Sequence, residues 1–165
     1  MQVESNKTSI LITGGSGYIA TAIYNSLKDI YNVTKITKND FDLLDGFKTN
    51  NFFKDKYFDV VIHTASTGGN RLINDHKATL QTNLKMFCNL MLNKEHYGKF
   101  ISFGSGAEKY ATDTAYGESK NNIAQIINKK DKHYNIRIYA VFDENELNKD
   151  LLNQIFCDTN QKYLK

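Results

Sequence analysis

Short apolar runs alternate with stretches of helical period along most of the chain. Ser9-Ile10-Leu11-Ile12-Thr13 is an apolar run closed by glycines, the pattern of a strand buried on both faces of a parallel sheet. Ile19, Ala22, Ile23 and Leu27 follow at i, i+3, i+4 and i+8 and predict an amphipathic helix. Val33 to Thr37 reads as a second strand, Phe47 to Phe53 as a short helix, and Val60 to Thr64 as a third strand that ends in the small residues Ala65 and Ser66. The longest helical pattern runs from His76 to Lys94, with Leu80, Leu84, Phe87, Cys88 and Met91 on one face. Strands at Phe100 to Phe103 and Ile136 to Phe142 bracket a helix from Tyr116 to Asn128, in which Ile123, Ile126 and Ile127 share a face. A last helix is expected over Leu147 to Phe156.

Strand and helix alternate throughout, and right-handed crossovers turn that order into a doubly wound parallel sheet, a three-layer αβα or Rossmann arrangement. The 165 residues, 41% of them hydrophobic, suffice for one core, so the whole chain reads as a single domain. Basic residues exceed acidic ones by only 21 to 18 and the lysines are dispersed, with arginine at Arg71 and Arg137 alone, which argues against a nucleic-acid partner. Cys88 and Cys157 are too few and too far apart for a disulfide framework and read as free, mostly buried thiols. No run approaches the roughly 18 apolar residues of a membrane span and the first eight residues are polar, so no membrane partner and a cytoplasmic location are expected.

Three groups of residues carry candidate chemistry. Thr13-Gly14-Gly15-Ser16-Gly17-Tyr18-Ile19-Ala20 joins the first strand to the first helix, where missing side chains let backbone amides and the helix dipole approach a pyrophosphate. A glycine-rich turn without a ligand is the competing reading. About 20 residues on, the second strand leads to Thr37-Lys38 with no carboxylate before Asp40. That favours NADP over NAD, with Lys38 as partner of the extra phosphate, although Lys38 also reads as a solvated loop lysine. Tyr116 and Lys120 lie one helical turn apart on one face, so the ammonium can favour the phenolate in a proton exchange with a substrate hydroxyl or carbonyl. Ser105, just after the fourth strand, can hydrogen-bond the same oxygen, and Asn83 can brace the site through backbone or water. The four histidines are not in metal-ligand spacing, and no metal is expected.

Taken in order, TGGSGYIA at 13 to 20, DLLD at 42 to 45, VIHTAS at 61 to 66, Asn83, FISFGSG at 100 to 106, YGESK at 116 to 120 and RIYAVF at 137 to 142 resemble the extended short-chain dehydrogenase/reductase superfamily, of the NAD-dependent epimerase/dehydratase type. The DFDLLD segment and Gly68-Gly69 look most like GDP-fucose synthases, and dTDP-4-dehydrorhamnose reductases are similar. The resemblance implies a dinucleotide held by Gly14, Gly15, Ser16, Gly17, Tyr18 and Ile19, with Leu44 and Asp45 near the adenine. It also implies Thr64, Ala65 and Ser66 along the cofactor, Asn83 in support, and Ser105, Tyr116 and Lys120 as the catalytic set.

Such enzymes continue into a C-terminal substrate domain, whereas this chain ends 23 residues after Phe142. The expected function is an NAD(P)-dependent oxidoreductase or epimerase acting on a keto sugar or nucleotide-sugar. The alternative is a non-catalytic or accessory dinucleotide-binding module that needs a partner chain. By the same resemblance, the helices over Leu80 to Met91 and Tyr116 to Ile127 would pair across a two-fold axis to form a homodimer.

Overall fold

The computed structural model describes residues 7–70 and 74–139. They form a five-stranded sheet of β1 (Ser9–Thr13), β2 (Asn32–Lys35), β3 (Phe58–His63), β4 (Tyr97–Ser105) and β5 (His133–Ile138). All neighbouring pairs are parallel and the order is β2-β1-β3-β4-β5. The helices are α1 (Tyr18–Leu27), α2 (Gly46–Phe53), α3 (Thr79–Met91), a single turn α4 (Ala107–Tyr110) and α5 (Ala115–Ile127), with a 3-10 turn at Lys94–His96.

Period-two alternation in β1 divides the core. Ile10 and Ile12 point to one face, where they meet Ile62 and the α1 residues Ala20, Ile23, Tyr24 and Leu27. Leu11 points to the other, where Val61 and Phe100 pack against Phe53 of α2, Phe87 and Leu90 of α3, and Ile123 and Ile127 of α5. With helices on both faces, the sheet is doubly wound as expected. Chain direction across the sheet reverses between β1 and β3, which opens a crevice above their carboxyl ends.

Several details depart from the periodicity. Along α1 the packed stripe is Ala20, Ile23, Tyr24 and Leu27, while Ala22 is exposed, because the turn sets Ala20 flush against β1 and aims Ile19 into a cavity. In α3 the buried positions are Thr79, Asn83, Met86, Phe87, Asn89 and Leu90, and Cys88 is exposed rather than buried. Polar Asn83 and Asn89 occupy core-facing positions because their amides are hydrogen-bonded there. β4 runs on to Ser105 because Gly104 and Ser105 pair with Arg137 and Ile138, and β5 starts three residues earlier than Ile136. α4 has no signal in the periodicity, being one turn long. The helix expected over Leu147 to Phe156, the end of the strand expected to reach Phe142, and Cys157 lie outside the described residues.

Candidate functional site

The turn from β1 into α1 is built by close backbone approach. Gly14 has φ +70°, and a Cβ there would lie 2.6 Å from the Ala65 nitrogen, so only glycine lets this turn pass the end of β3. The Gly15 N–H donates to the Ile36 carbonyl at 2.8 Å, which ties the turn to the end of β2 and leaves Gly15 beneath the site. Gly17 is the N-cap of α1, with no side-chain cap and no acidic residue in the first turn, so the positive end of the helix faces the crevice. Thr13 and His63 support this floor, with Thr13 Oγ1 2.8 Å from His63 Nδ1. Burial, reinforced by the Lys120 charge, pushes His63 down to about 3 and keeps the ring neutral.

Two cavities meet above the turn and share Gly17, Thr64 and Ser66. The first, about 280 Å3, carries Gly14, Ser16, Lys38, Leu44 and Ala65 of the expected residues, together with Ile36, Phe41, Leu43 and Met86, which make it apolar. The second, about 420 Å3, is lined by Tyr18, Ile19, Ser105, Tyr116 and Lys120, with Gly69, Phe103, Ile138 and Tyr139.

Three expected residues stand outside both linings: Gly15, tied to Ile36 beneath the turn, Asp45 and Asn83. The Asp45 carboxylate caps α2 by accepting the Lys48 N–H at 3.0 Å, and the acid that lines the first cavity is Asp42. Asp42 pairs with Lys38 at 3.2 Å and is held below the usual carboxylate range, chiefly by the Leu44 N–H. Asp40, the first acid after β2, turns back onto its own loop and accepts from both the N–H and hydroxyl of Thr37.

Asn83 acts behind the wall. Its Oδ1 accepts the Thr67 N–H at 2.8 Å, and its Nδ2 donates to the Thr67 carbonyl and the Ser119 hydroxyl, each at 3.0 Å. Ser119 in turn donates to the Tyr116 carbonyl at 2.6 Å. This chain links the backbone of the loop after β3 to that of the first turn of α5 through the Asn83 and Ser119 side chains.

Ser105, Tyr116 and Lys120 converge. Ser105 and Tyr116 line the same cavity, and the Lys120 ammonium sits 5.5 Å from the centre of the Tyr116 ring. Lys120 is 9% exposed and donates to the Phe103 carbonyl at 2.9 Å. Desolvation lowers it to about 8. Burial raises the Tyr116 phenol, opposed by the Ser105 hydroxyl and aided by the charges of Asp75 and Glu108, so the phenol is held protonated.

The sequence reading missed Asp75, whose carboxylate accepts the N–H groups of Gly69 and Tyr116. It also missed Glu108, a buried acid on α4. Neither belongs to a motif, and only their partners reveal them. Among the described residues no cluster of ligating side chains suits a metal ion, and no helix is long and apolar enough to cross a membrane.

Comparison with solved structures finds the same fold in a GDP-mannoheptose C4 reductase from Campylobacter jejuni with NADP bound, at 18% identity and a TM-score of 0.77. That match covers 93% of this chain and 58% of the reductase. A dTDP-4-dehydrorhamnose reductase from Clostridium acetobutylicum matches at 21% identity and TM-score 0.74, over 89% of this chain and 59% of that one. A GDP-L-fucose synthetase from Naegleria fowleri matches at 20% and 0.65, over 81% and 50%. This chain thus spans between half and three-fifths of the length of these three proteins. A search of curated proteins returns no match. The model of the NAD-dependent epimerase/dehydratase family matches residues 10–142, which carry the glycine turn and the Ser105, Tyr116 and Lys120 cluster, and the chain belongs to that family.

Proposed function

We propose that this chain binds NADP in the two joined cavities and supplies the proton-transfer machinery for reduction or epimerisation of a nucleotide-linked keto sugar. The observation that carries the reading is the meeting of Ser105, Tyr116 and Lys120 in a cavity continuous with the uncapped N-terminus of α1. The residues suit the dinucleotide. The apolar wall of Ile36, Phe41, Leu43 and Met86 would take the adenine, the Ser16 amide and the first turn of α1 the diphosphate, since the Gly15 and Gly17 amides are bonded to the Ile36 and Gly14 carbonyls, and Lys38 the phosphate that distinguishes NADP from NAD. NADP in the Campylobacter jejuni reductase and the nucleotide-sugar names of all three similar structures favour the same assignment.

The bound nicotinamide would supply or accept hydride at the sugar carbon. The protein's task is the proton. Tyr116, held protonated by burial, donates to the carbonyl oxygen of the substrate, and Ser105 hydrogen-bonds the same oxygen as negative charge develops on it. Lys120 then stabilises the phenolate left behind, its ammonium already positioned over the ring.

The test is calorimetric titration with NADPH, NADP, NADH and NAD, followed by turnover on nucleotide-linked 4-keto sugars. Tyr116→Phe should keep NADPH binding and lose turnover by at least about 100-fold, the contribution typical of a general acid. Binding of none of the four nucleotides, or full turnover by Tyr116→Phe, would overturn the reading.

The assembly belongs to the same proposal. Leu84 and Cys88 on α3 and Ile126 on α5 border a groove between the two helices, and a second copy packed there would form a symmetric four-helix contact. Light scattering that gives the mass of one chain would exclude it. A reducing, cytoplasmic setting agrees with the unpaired, exposed Cys88 thiol.

A further inference from the structure

One buried carboxylate lies outside the lining of both cavities and has no part in the reaction proposed above. Glu108, on the single turn α4, is 4% exposed. It accepts from Arg137 Nε and, at 3.2 Å, from Asn135 Nδ2, both on β5. It also presses against the end of β4, where a Cβ on Gly104 would lie 2.6 Å from Glu108 Oε2. Gly104 separates Phe103, whose carbonyl accepts from the Lys120 ammonium, from Ser105, which lines the second cavity with Tyr116.

We infer that Glu108 is a positioning residue for Lys120 and Tyr116: it fixes the Phe103–Ser105 strand end against β5 and supplies the negative charge that holds the buried ammonium. The inference rests on the catalytic reading of Lys120 for its importance, but its physics is that of the folded chain alone. Removing an ammonium from water is costly, and a buried lysine loses its proton unless an opposite charge offsets the desolvation.

The groups that face Lys120 come from every element around it. Tyr116 lies one turn back on α5 and is held protonated, and His63 at the end of β3 is neutral down to about 3. β4 offers only the Phe103 carbonyl dipole, and Asp75 acts on Tyr116 from the loop before α3. Among the described residues, Glu108 is the group whose charge favours the protonated form of Lys120. Arg137 moderates that charge and locks its direction, since the carboxylate is held from β5 by two donors.

The experiment is an NMR titration of the lysine ε-carbons in the full, nucleotide-free chain, with the Lys120 signal identified by its loss in Lys120→Arg. Glu108→Gln should lower the Lys120 midpoint by about one pH unit. Arg137→Met, which removes the cation and leaves the carboxylate, should raise it. Opposite shifts in the two variants support the role, and an unchanged midpoint in either folded variant overturns it. If Glu108→Gln does not fold, Arg137→Met decides alone, because the Arg137 side chain is partly exposed. No nucleotide is present in this measurement, so failure of NADPH binding would sink the proposed function and leave the result for Glu108 standing.

Discussion

The Asp75 carboxylate accepts the backbone N–H of Tyr116 at 3.0 Å through one oxygen and that of Gly69 at 2.8 Å through the other. One side chain therefore holds the start of α5 and the loop that crosses the Tyr116 ring. Hydrogen bonds to a charged acceptor contribute about 1.5–3 kcal/mol each in favourable cases. Asp75→Ala should lower stability by about 2 kcal/mol and turnover by roughly tenfold, with NADPH affinity changed much less. Urea denaturation beside steady-state kinetics checks this, and equal losses in NADPH affinity and turnover would show that Asp75 serves the whole crevice instead of the tyrosine.

Gly69 makes a sharper test of the same contact. It has φ +77°, and a Cβ there would lie 2.7 Å from Cζ of the Tyr116 ring. Gly69→Ala should displace the phenol and abolish turnover, whereas the first cavity, which Gly69 does not line, keeps its grip on the adenosine half of the nucleotide. NADPH binding within about threefold of the unsubstituted chain, with turnover below about 1%, is the expected pair of results.

Lys120 should impose a measurable slope on stability against pH. Unfolded, the lysine keeps its proton up to its ordinary value of 10.5, and folded it does so only up to about 8. The unfolded state therefore binds more protons between these values, and this group's penalty on stability shrinks as pH rises from 8 to 10.5. Lys120→Met should stabilise the chain by about 1–3 kcal/mol at neutral pH, and the gain should fade across that window while activity is lost. Denaturant unfolding near both ends of the window measures the difference. A gain that does not change with pH would mean that the ammonium is not desolvated.

Selectivity for the nucleotide should turn on the Lys38–Asp42 pair, 3.2 Å apart on the rim of the first cavity. Asp42→Asn removes a negative charge beside the expected phosphate and frees the lysine, so NADPH should bind about three- to tenfold more tightly at low salt and the gain should shrink as salt rises. Lys38→Ala should weaken NADPH by a similar factor and leave NADH unchanged. Identical NADPH affinities across the three proteins would remove Lys38 from the site.

The local pattern of this sequence fixes the alternation of strand and helix, the glycine turn at 14 to 17, and the Tyr116 and Lys120 spacing, because each depends on residues within a few positions of one another. Strand propensity and a φ that only glycine tolerates are properties of short segments. The tertiary structure decided the rest. Asp42 and not Asp45 lines the first cavity because the chain turns there and spends Asp45 on the cap of α2. Asn83, Asp75 and Glu108 reach their partners across 36, 41 and 29 positions respectively, separations that no periodicity encodes. Those contacts exist only once β3, β4 and β5 lie side by side and bring the loop after β3, α4 and the start of α5 to one end of the sheet. A burial pattern can tell which face of a helix turns inward, but which buried polar group meets which is settled by the order of the strands.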